Sequence, residues 1–110
     1  MLARTALLLA AALLLAGCGK PKTTPEMYKK YCARCHGGNG EGNPKSLRLY
    51  PNLDLIESPM VRRGDRAAVR QRIAEGHGPM PAYQRRLTPE ELERMVDFTF
   101  QLARSPKETP

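Results

Sequence analysis

The chain has 110 residues, with 18 Lys and Arg against 11 Asp and Glu, for a net charge of +7. It has three cysteines, no Trp and only 5% aromatic residues. Within these residues that length leaves room for one small core, whose stability is marginal unless a cross-link, cofactor or metal supports it.

Met1-Leu2-Ala3-Arg4 is a short positive start, and an apolar run covers residues 6–16. The run is too short to span a bilayer, which takes about 20 apolar residues. It has the n-region and h-region of a secretory signal peptide rather than the pattern of a buried helix. Leu15-Ala16-Gly17-Cys18 at its end resembles the lipobox of bacterial lipoproteins. That resemblance implies a signal peptide over residues 1–17, cleavage before Cys18, lipid on Cys18 and export to the bacterial cell envelope. Gly19 in place of Asp resembles an outer-membrane sorting signal. The alternative is an ordinary secreted protein with Cys18 free or disulfide-bonded, but an odd cysteine count argues against internal pairing. Without residues 1–17 the basic count falls from 18 to 17 against 11 acidic residues, so the rest is still basic at about +6.

Cys18 and the stretch to Thr24 read as a lipidated residue and a flexible tether. Thr24 is the expected N-cap of a first helix, with Pro25 at N1 and Glu26 in the first turn. The helix is expected to run on into Cys32–His36, with Met27, Tyr28, Tyr31, Cys32 and Cys35 along one side. Residues 37–44 hold four glycines, an Asn pair and a Pro, which is loop chemistry. No sustained period follows up to Pro59. Asp65 caps a second helix over Arg66–Glu75 that Gly76 stops, with Ala68, Val69, Arg72 and Ile73 as its inner face. Residues 76–83, Gly-His-Gly-Pro-Met-Pro-Ala-Tyr, form a loop stiffened by Pro79 and Pro81. The last helix has Thr88 as cap, Pro89 at N1 and Glu91 completing a capping box. Its predicted inner face is Leu92, Met95, Val96, Thr99, Leu102 and Ala103. Residues 105–110 read as a disordered polar tail. There is no strand signal, internal repeat or second domain.

Cys32, Cys35 and His36 make C-x-x-C-H, the pattern of covalent haem attachment. Residues three and four apart share a face of a helical turn. Two thiols there can reach two vinyl groups on one side of a porphyrin, and an imidazole beside them can lie under the iron. A redox dithiol would sit near a βαβ pattern, which is absent. A structural zinc site takes four N or S ligands; Cys32, Cys35, His36 and His77 make four on paper, but adjacent Cys35 and His36 fit a tetrahedron poorly.

The order of these features resembles that of class I c-type cytochromes over roughly Thr24 to Arg104: Tyr28 four before the first Cys, C-x-x-C-H, a glycine loop, a Pro-containing middle, a short helix, Met80-Pro81 with Tyr83, and an amphipathic last helix. The resemblance implies an all-α cytochrome c-like fold over residues 25–104, with three to four helices wrapped around one covalently attached haem c. It implies Cys32 and Cys35 as the thioether residues, with His36 and Met80 as axial iron ligands. It also implies that Met27, Tyr28 and Tyr31 pack against Leu92, Met95 and Phe98. His77 lies three residues from Met80 and is the rival for the sixth position; between two glycines, a solvated imidazole is its default. A Pro-x-Leu stretch near the axial His matches at Pro44 or at Pro51-Asn52-Leu53, with Pro51 preferred. Arg48 and Tyr50 are within reason as propionate partners.

The function implied is that of a membrane-anchored monohaem electron carrier, not itself an enzyme, facing the periplasm or extracytoplasmic space and working between redox proteins. Two alternatives stand: an electron-entry subunit of a membrane oxidoreductase complex, and a haem sensor or peroxidase-like protein with an open sixth position. Arg62, Arg63, Arg66, Arg70, Arg72, Arg85 and Arg86 read either as a solvated surface or as a ring for docking an acidic partner. Neither nucleic acid nor a small-molecule substrate is expected.

Overall fold

The computed structural model describes residues 19–105. The residues of the expected signal peptide and lipobox, Cys18 among them, and residues 106–110 of the expected tail lie outside the described residues. Six α-helices follow one another among the described residues: α1 (Thr24–Tyr31), α2 (Ala33–His36), α3 (Pro44–Leu47), α4 (Pro59–Arg62), α5 (Arg66–Glu75) and α6 (Pro89–Arg104), with a 3₁₀ turn at Pro51–Leu53 between α3 and α4. Among these residues strand-like pairing is confined to an isolated bridge between His77 and Met80. The fold is all-α, as expected; three helices are long and three are single turns.

The long helices begin where side-chain chemistry offers their first N–H groups an acceptor. The α1 cap is Thr23, one residue before the expected Thr24, because Glu26 then falls at N3 and closes a reciprocal capping box. Thr88 and Glu91 close the same box on α6, with Pro89 in the first turn. Asp65 caps α5 through Ala68 N–H at 3.0 Å, and Gly76 ends that helix. In the middle stretch the irregular chain contains α3, because the Asn43 side chain accepts from Lys45 N–H at 3.0 Å and Pro44 presets the first turn.

One core joins these pieces. Met27 and Tyr28 of α1, Val61 of α4, Val69, Ile73 and Ala74 of α5, and Leu92, Met95, Val96 and Phe100 of α6 are buried together with Tyr83 and Leu87. The expected α1–α6 crossing is present: the Tyr28 and Phe98 rings lie 5.1 Å apart at 53°, inside the favourable range for aromatic pairs. Phe98 and Tyr31 are half-buried rather than central. Phe100 was not on the predicted inner face. It is buried because α6 is packed by α4 and α5 as well as by α1, which widens its apolar arc. On α5 the buried set is Val69, Ile73 and Ala74, with Ala68 and Arg72 only half-covered.

Lys20, inside the expected tether, pairs with the carboxylate of Glu91. The same carboxylate accepts from Thr88 N–H at 3.2 Å. The Lys20 ammonium first, and then the Thr88 amide, hold the Glu91 carboxyl below its usual range. Glu26 and Asp65 are likewise lowered, chiefly by the backbone amides they accept from.

Two stability outcomes follow from this packing and capping. Met95→Ala, which empties one of the most deeply buried positions, should cost about 2–5 kcal/mol, against about 1 kcal/mol for Thr88→Ala, both read by urea denaturation. Because the three cap carboxylates have depressed folded pKa values, their contribution is complete above the unfolded carboxylate pKa of about 4 and is lost as pH falls through the folded values. The thermal midpoint should therefore drop below about pH 4, and less steeply in Glu91→Gln.

Candidate functional site

Helix α1 delivers the first cysteine and then breaks. Cys32 N–H still donates to the Tyr28 carbonyl at 2.8 Å, but Cys32 itself sits at φ −118°, ψ −41° and serves as the end of α1 and the start of α2. Cys35 N–H turns to the Cys32 carbonyl (3.2 Å), three residues back instead of four. The Tyr31 carbonyl is thereby left without a helical donor. The Tyr83 hydroxyl donates into it at 2.9 Å, with the Tyr31 and Tyr83 rings 5.7 Å apart. This contact ties the loop that carries Met80 to the turn that carries the cysteines.

After His36 the chain reverses. Gly42 N–H donates to the His36 carbonyl at 2.6 Å and Asn43 N–H to the Cys35 carbonyl at 2.8 Å, so α2 has its last carbonyls satisfied by its own loop. Tyr28 donates its hydroxyl to the Gly37 carbonyl at 2.6 Å. Burial above all, then the neighbouring Cys32 and Glu41, raises that phenol far above its usual value, so it remains a donor. Leu55 N–H reaches the Gly40 carbonyl at 2.8 Å. This brings the 3₁₀ turn at Pro51–Leu53 beside His36, and the Leu53 carbonyl lies 2.8 Å from His36 Nδ1. Of the two Pro-x-Leu candidates, the stretch beginning at Pro51 is therefore the one at the histidine. A carbonyl only accepts, so Nδ1 donates, and in the neutral tautomer this leaves the lone pair on Nε2. That is the form of imidazole that ligates a metal through Nε2.

Cys32 is half-buried and Cys35 exposed, and both are free thiols. Burial first, then Cys35, pushes the Cys32 thiol up to about 11. A redox dithiol depends on a thiolate made available by a lowered pKa, so Cys32 is tuned the opposite way. Among the described residues no three His, Cys, Asp or Glu side chains converge as a metal cage, which leaves the zinc reading without a geometry. The donor set fits a haem instead. It combines two free thiols on one turn, an imidazole whose Nδ1 is held, and apolar side chains only partly covered at the edge of the core: Leu55, Met60 and Met80.

Met80 sits in a two-residue hairpin. His77 and Met80 exchange backbone hydrogen bonds of 3.0 Å each, and the return strand is pinned to the end of α5 by Tyr83 N–H to Ile73 and Gln84 N–H to Ala74. Gly76 makes this possible. Its φ is +73°, and a Cβ there would lie 2.4 Å from the Met80 carbonyl oxygen. Met80 is half-buried against the core and His77 is exposed. Arg48 and Tyr50 are exposed.

Four of the seven arginines singled out in the sequence are engaged: Arg62 with Glu57 (3.0 Å), Arg63 with Asp65 (3.2 Å), Arg66 with Asp97 (2.6 Å), and Arg70 with Glu93. Among the described residues Arg72, Arg85 and Arg86 have no such partner, nor do Lys29, Lys30 and Arg34 near the cysteines. Lys30 and Arg86 lie over the Tyr31 and Tyr83 rings respectively, each 5.6 Å from the ring centre. Two cations, Lys30 and Arg86, thus flank the tyrosine pair at the cysteine turn, a placement that composition alone did not locate.

The family model described as cytochrome c oxidase, cbb3-type, subunit III matches residues 19–98. The chain is 32% identical over 82 residues to the cbb3-type cytochrome c oxidase subunit FixP of Azorhizobium caulinodans, covering 74% of this chain and 27% of that protein. It is 27% identical over 78 residues to cytochrome c6 of Gloeothece citriformis, covering 71% of this chain and 67% of that protein. The chain thus spans about a quarter of the length of the first relative and two thirds of the second.

The Tyr83–Tyr31 contact has a measurable consequence. Tyr83→Phe keeps the ring and removes the hydroxyl that donates to the freed carbonyl, so it should cost about 1 kcal/mol or somewhat more in urea denaturation. Tyr83→Leu, which also loses the ring contact, should cost more.

Proposed function

The chain belongs to the cbb3-type cytochrome c oxidase subunit III family, and from that membership we propose that it is a lipid-anchored cytochrome c with one covalently held haem. Its domain is an electron-carrying cytochrome c domain, and haem binding is the property of that family. The finer assignment is ours. Cys32 and Cys35 form the thioethers, His36 and Met80 are the axial ligands, and Cys18 carries the lipid. The observation that carries it is the hydrogen bond from His36 Nδ1 to the Leu53 carbonyl, which presents Nε2 on the same turn as two free thiols.

A bound haem c supplies one-electron chemistry whose potential is set by axial ligands and by the apolar surroundings. The protein's residues do the rest. Leu53 fixes the tautomer and the plane of His36. The Tyr28 and Tyr83 hydroxyls hold both ends of the cysteine turn. Pro79, Pro81 and Gly76 keep the Met80 hairpin in one shape, so little moves when the charge at the site changes. The half-buried Leu55 and Met60 would help keep water from a haem held there. Lys30, Arg34, Arg85 and Arg86 offer an acidic redox partner a landing surface beside the cysteines, and raised salt should slow transfer to it because exposed charges are screened beyond about 10 Å at 0.1 M.

A second reading has the chain as a haem-bearing electron-entry subunit fixed in a membrane oxidoreductase complex. The subunit names of the family and of FixP favour it. Co-purification of a stoichiometric complex from native membranes would select it over a carrier that leaves the membrane alone. A sensor or peroxidase-like protein with an open sixth position is the remaining reading; ready binding of carbon monoxide by the wild-type haem protein would favour it.

Two experiments test the assignment. Produced with a c-type maturation system, the protein should retain haem through denaturing electrophoresis, and Cys32→Ser with Cys35→Ser should abolish that band; a wild-type band without haem would sink the covalent assignment. In detergent phase partitioning the wild type should enter the detergent phase and Cys18→Ala the aqueous phase. Equal partitioning of the two would remove the lipid anchor.

A further inference from the structure

The hairpin over residues 76–83 carries two side chains able to ligate iron, and the assignment above uses one. His77 and Met80 are directly opposite partners, each donating its N–H to the other's carbonyl at 3.0 Å. In an antiparallel pair the side chains of opposite residues leave the backbone on the same side, with Cβ atoms about 5 Å apart. The His77 imidazole and the Met80 thioether therefore rise from one face of the hairpin. Sequence spacing gives no hint of this, since two residues three apart in an irregular loop have no defined relation.

The pairing is held from several directions. Gly76 admits no side chain against the Met80 carbonyl. Pro79 and Pro81 restrict the backbone on either side of Met80. Tyr83 and Gln84 are bonded to the end of α5. On this fixed hairpin the two side chains differ in their surroundings: Met80 is packed against the core, whereas His77 is exposed, and among the described residues its ring has no hydrogen-bond or ion-pair partner. Its rotamer is thus set by no contact of its own.

We propose that His77 is a reserve ligand for the position Met80 fills, taking that position when the thioether is lost, without the hairpin opening. The proposal rests on the assignment of Met80 as second axial ligand. The geometry requires only that a side chain rooted about 5 Å away on the same face swing across a rigid two-residue turn. The consequence is a change of potential rather than a vacant site: a thioether favours the reduced iron, an imidazole the oxidised. The domain would remain closed to external ligands after damage to Met80, but as a carrier working at a lower potential.

The test uses the haem-loaded protein at one fixed pH, with Met80→Ala and Met80→Leu (the second keeps side-chain volume without a ligating atom), each alone and combined with His77→Ala. Far-ultraviolet circular dichroism checks the fold, and visible and electron paramagnetic resonance spectra report the ligands. Wild type and His77→Ala should both show the weak far-red sulfur-to-iron band. The Met80 variants should lose it yet stay low-spin, and the double variants should turn high-spin and bind added imidazole and carbon monoxide. If His77 fills the position nine-tenths of the time in Met80→Leu, carbon monoxide should bind that variant about tenfold more weakly than the double variant. A wild type that shows the band while Met80→Leu is high-spin and binds carbon monoxide as tightly as the double variant overturns this proposal alone. A double variant that stays low-spin overturns it too, because another side chain is then responsible. A wild type without the band overturns the Met80 assignment and this proposal with it.

Discussion

The rest of the site depends on a fault in a helix. Had α1 continued without interruption through Cys32, the Tyr31 carbonyl would have bonded to Cys35 N–H in the ordinary i→i−4 ladder. The chain instead tightens by one residue, Cys35 N–H goes to Cys32, and a carbonyl is left facing the loop of Met80. A freed acceptor at half-buried depth needs a donor, and Tyr83, from more than fifty positions along the chain, is that donor. The break that sets the two thiols on their turn is therefore also what recruits the distant hairpin to the same place.

Around that turn the polar contacts divide by depth. Close to it, neutral hydrogen bonds to backbone carbonyls do the positioning: Tyr28 to Gly37, His36 to Leu53, Tyr83 to Tyr31. None changes its bonding near neutral pH through the tyrosines, whose phenols are both raised by burial. Further out, Arg62, Arg63, Arg66 and Arg70 meet carboxylates of the loop before α4, of α5's own cap and of α6 in exposed pairs, which solvent screens to little net effect. Among the described residues the positive charge is thus paired at Arg66 and Arg70 of α5 but not at Arg72, nor at Lys30, Arg34 and Arg86.

Much of this was legible in the residues. Helix α5 runs between the capping Asp65 and the stopping Gly76 as expected, and α6 starts at Thr88 with its box intact, because these signals are local and act within one turn. The α1 cap was misplaced by one residue although the signal was present: only Thr23 stands three before Glu26, the spacing a capping box requires. What could not be read was whatever depends on backbone carbonyls. The Pro-x-Leu spacing favours Pro51, since Leu47 stands three after Pro44, but what places that stretch at His36 is the Leu53 carbonyl, delivered by a loop path through Gly40 and Leu55. The shared face of His77 and Met80 is of the same kind. Phe100 escaped notice for another reason, since a period count assumes one packing partner and α6 has three.

The ion pair of Lys20 with Glu91 joins the start of the described chain to the first turn of the last helix. Glu91 is there also the cap's returning carboxylate, so one side chain serves two structures. A pull on the chain ahead of Lys20 therefore arrives at the end of α6 rather than at the core. It meets first a solvent-screened ion pair and only afterwards the capping box. The pair is placed to act as a mechanical fuse, giving way before the first turn of the helix that buries Met95 and Val96.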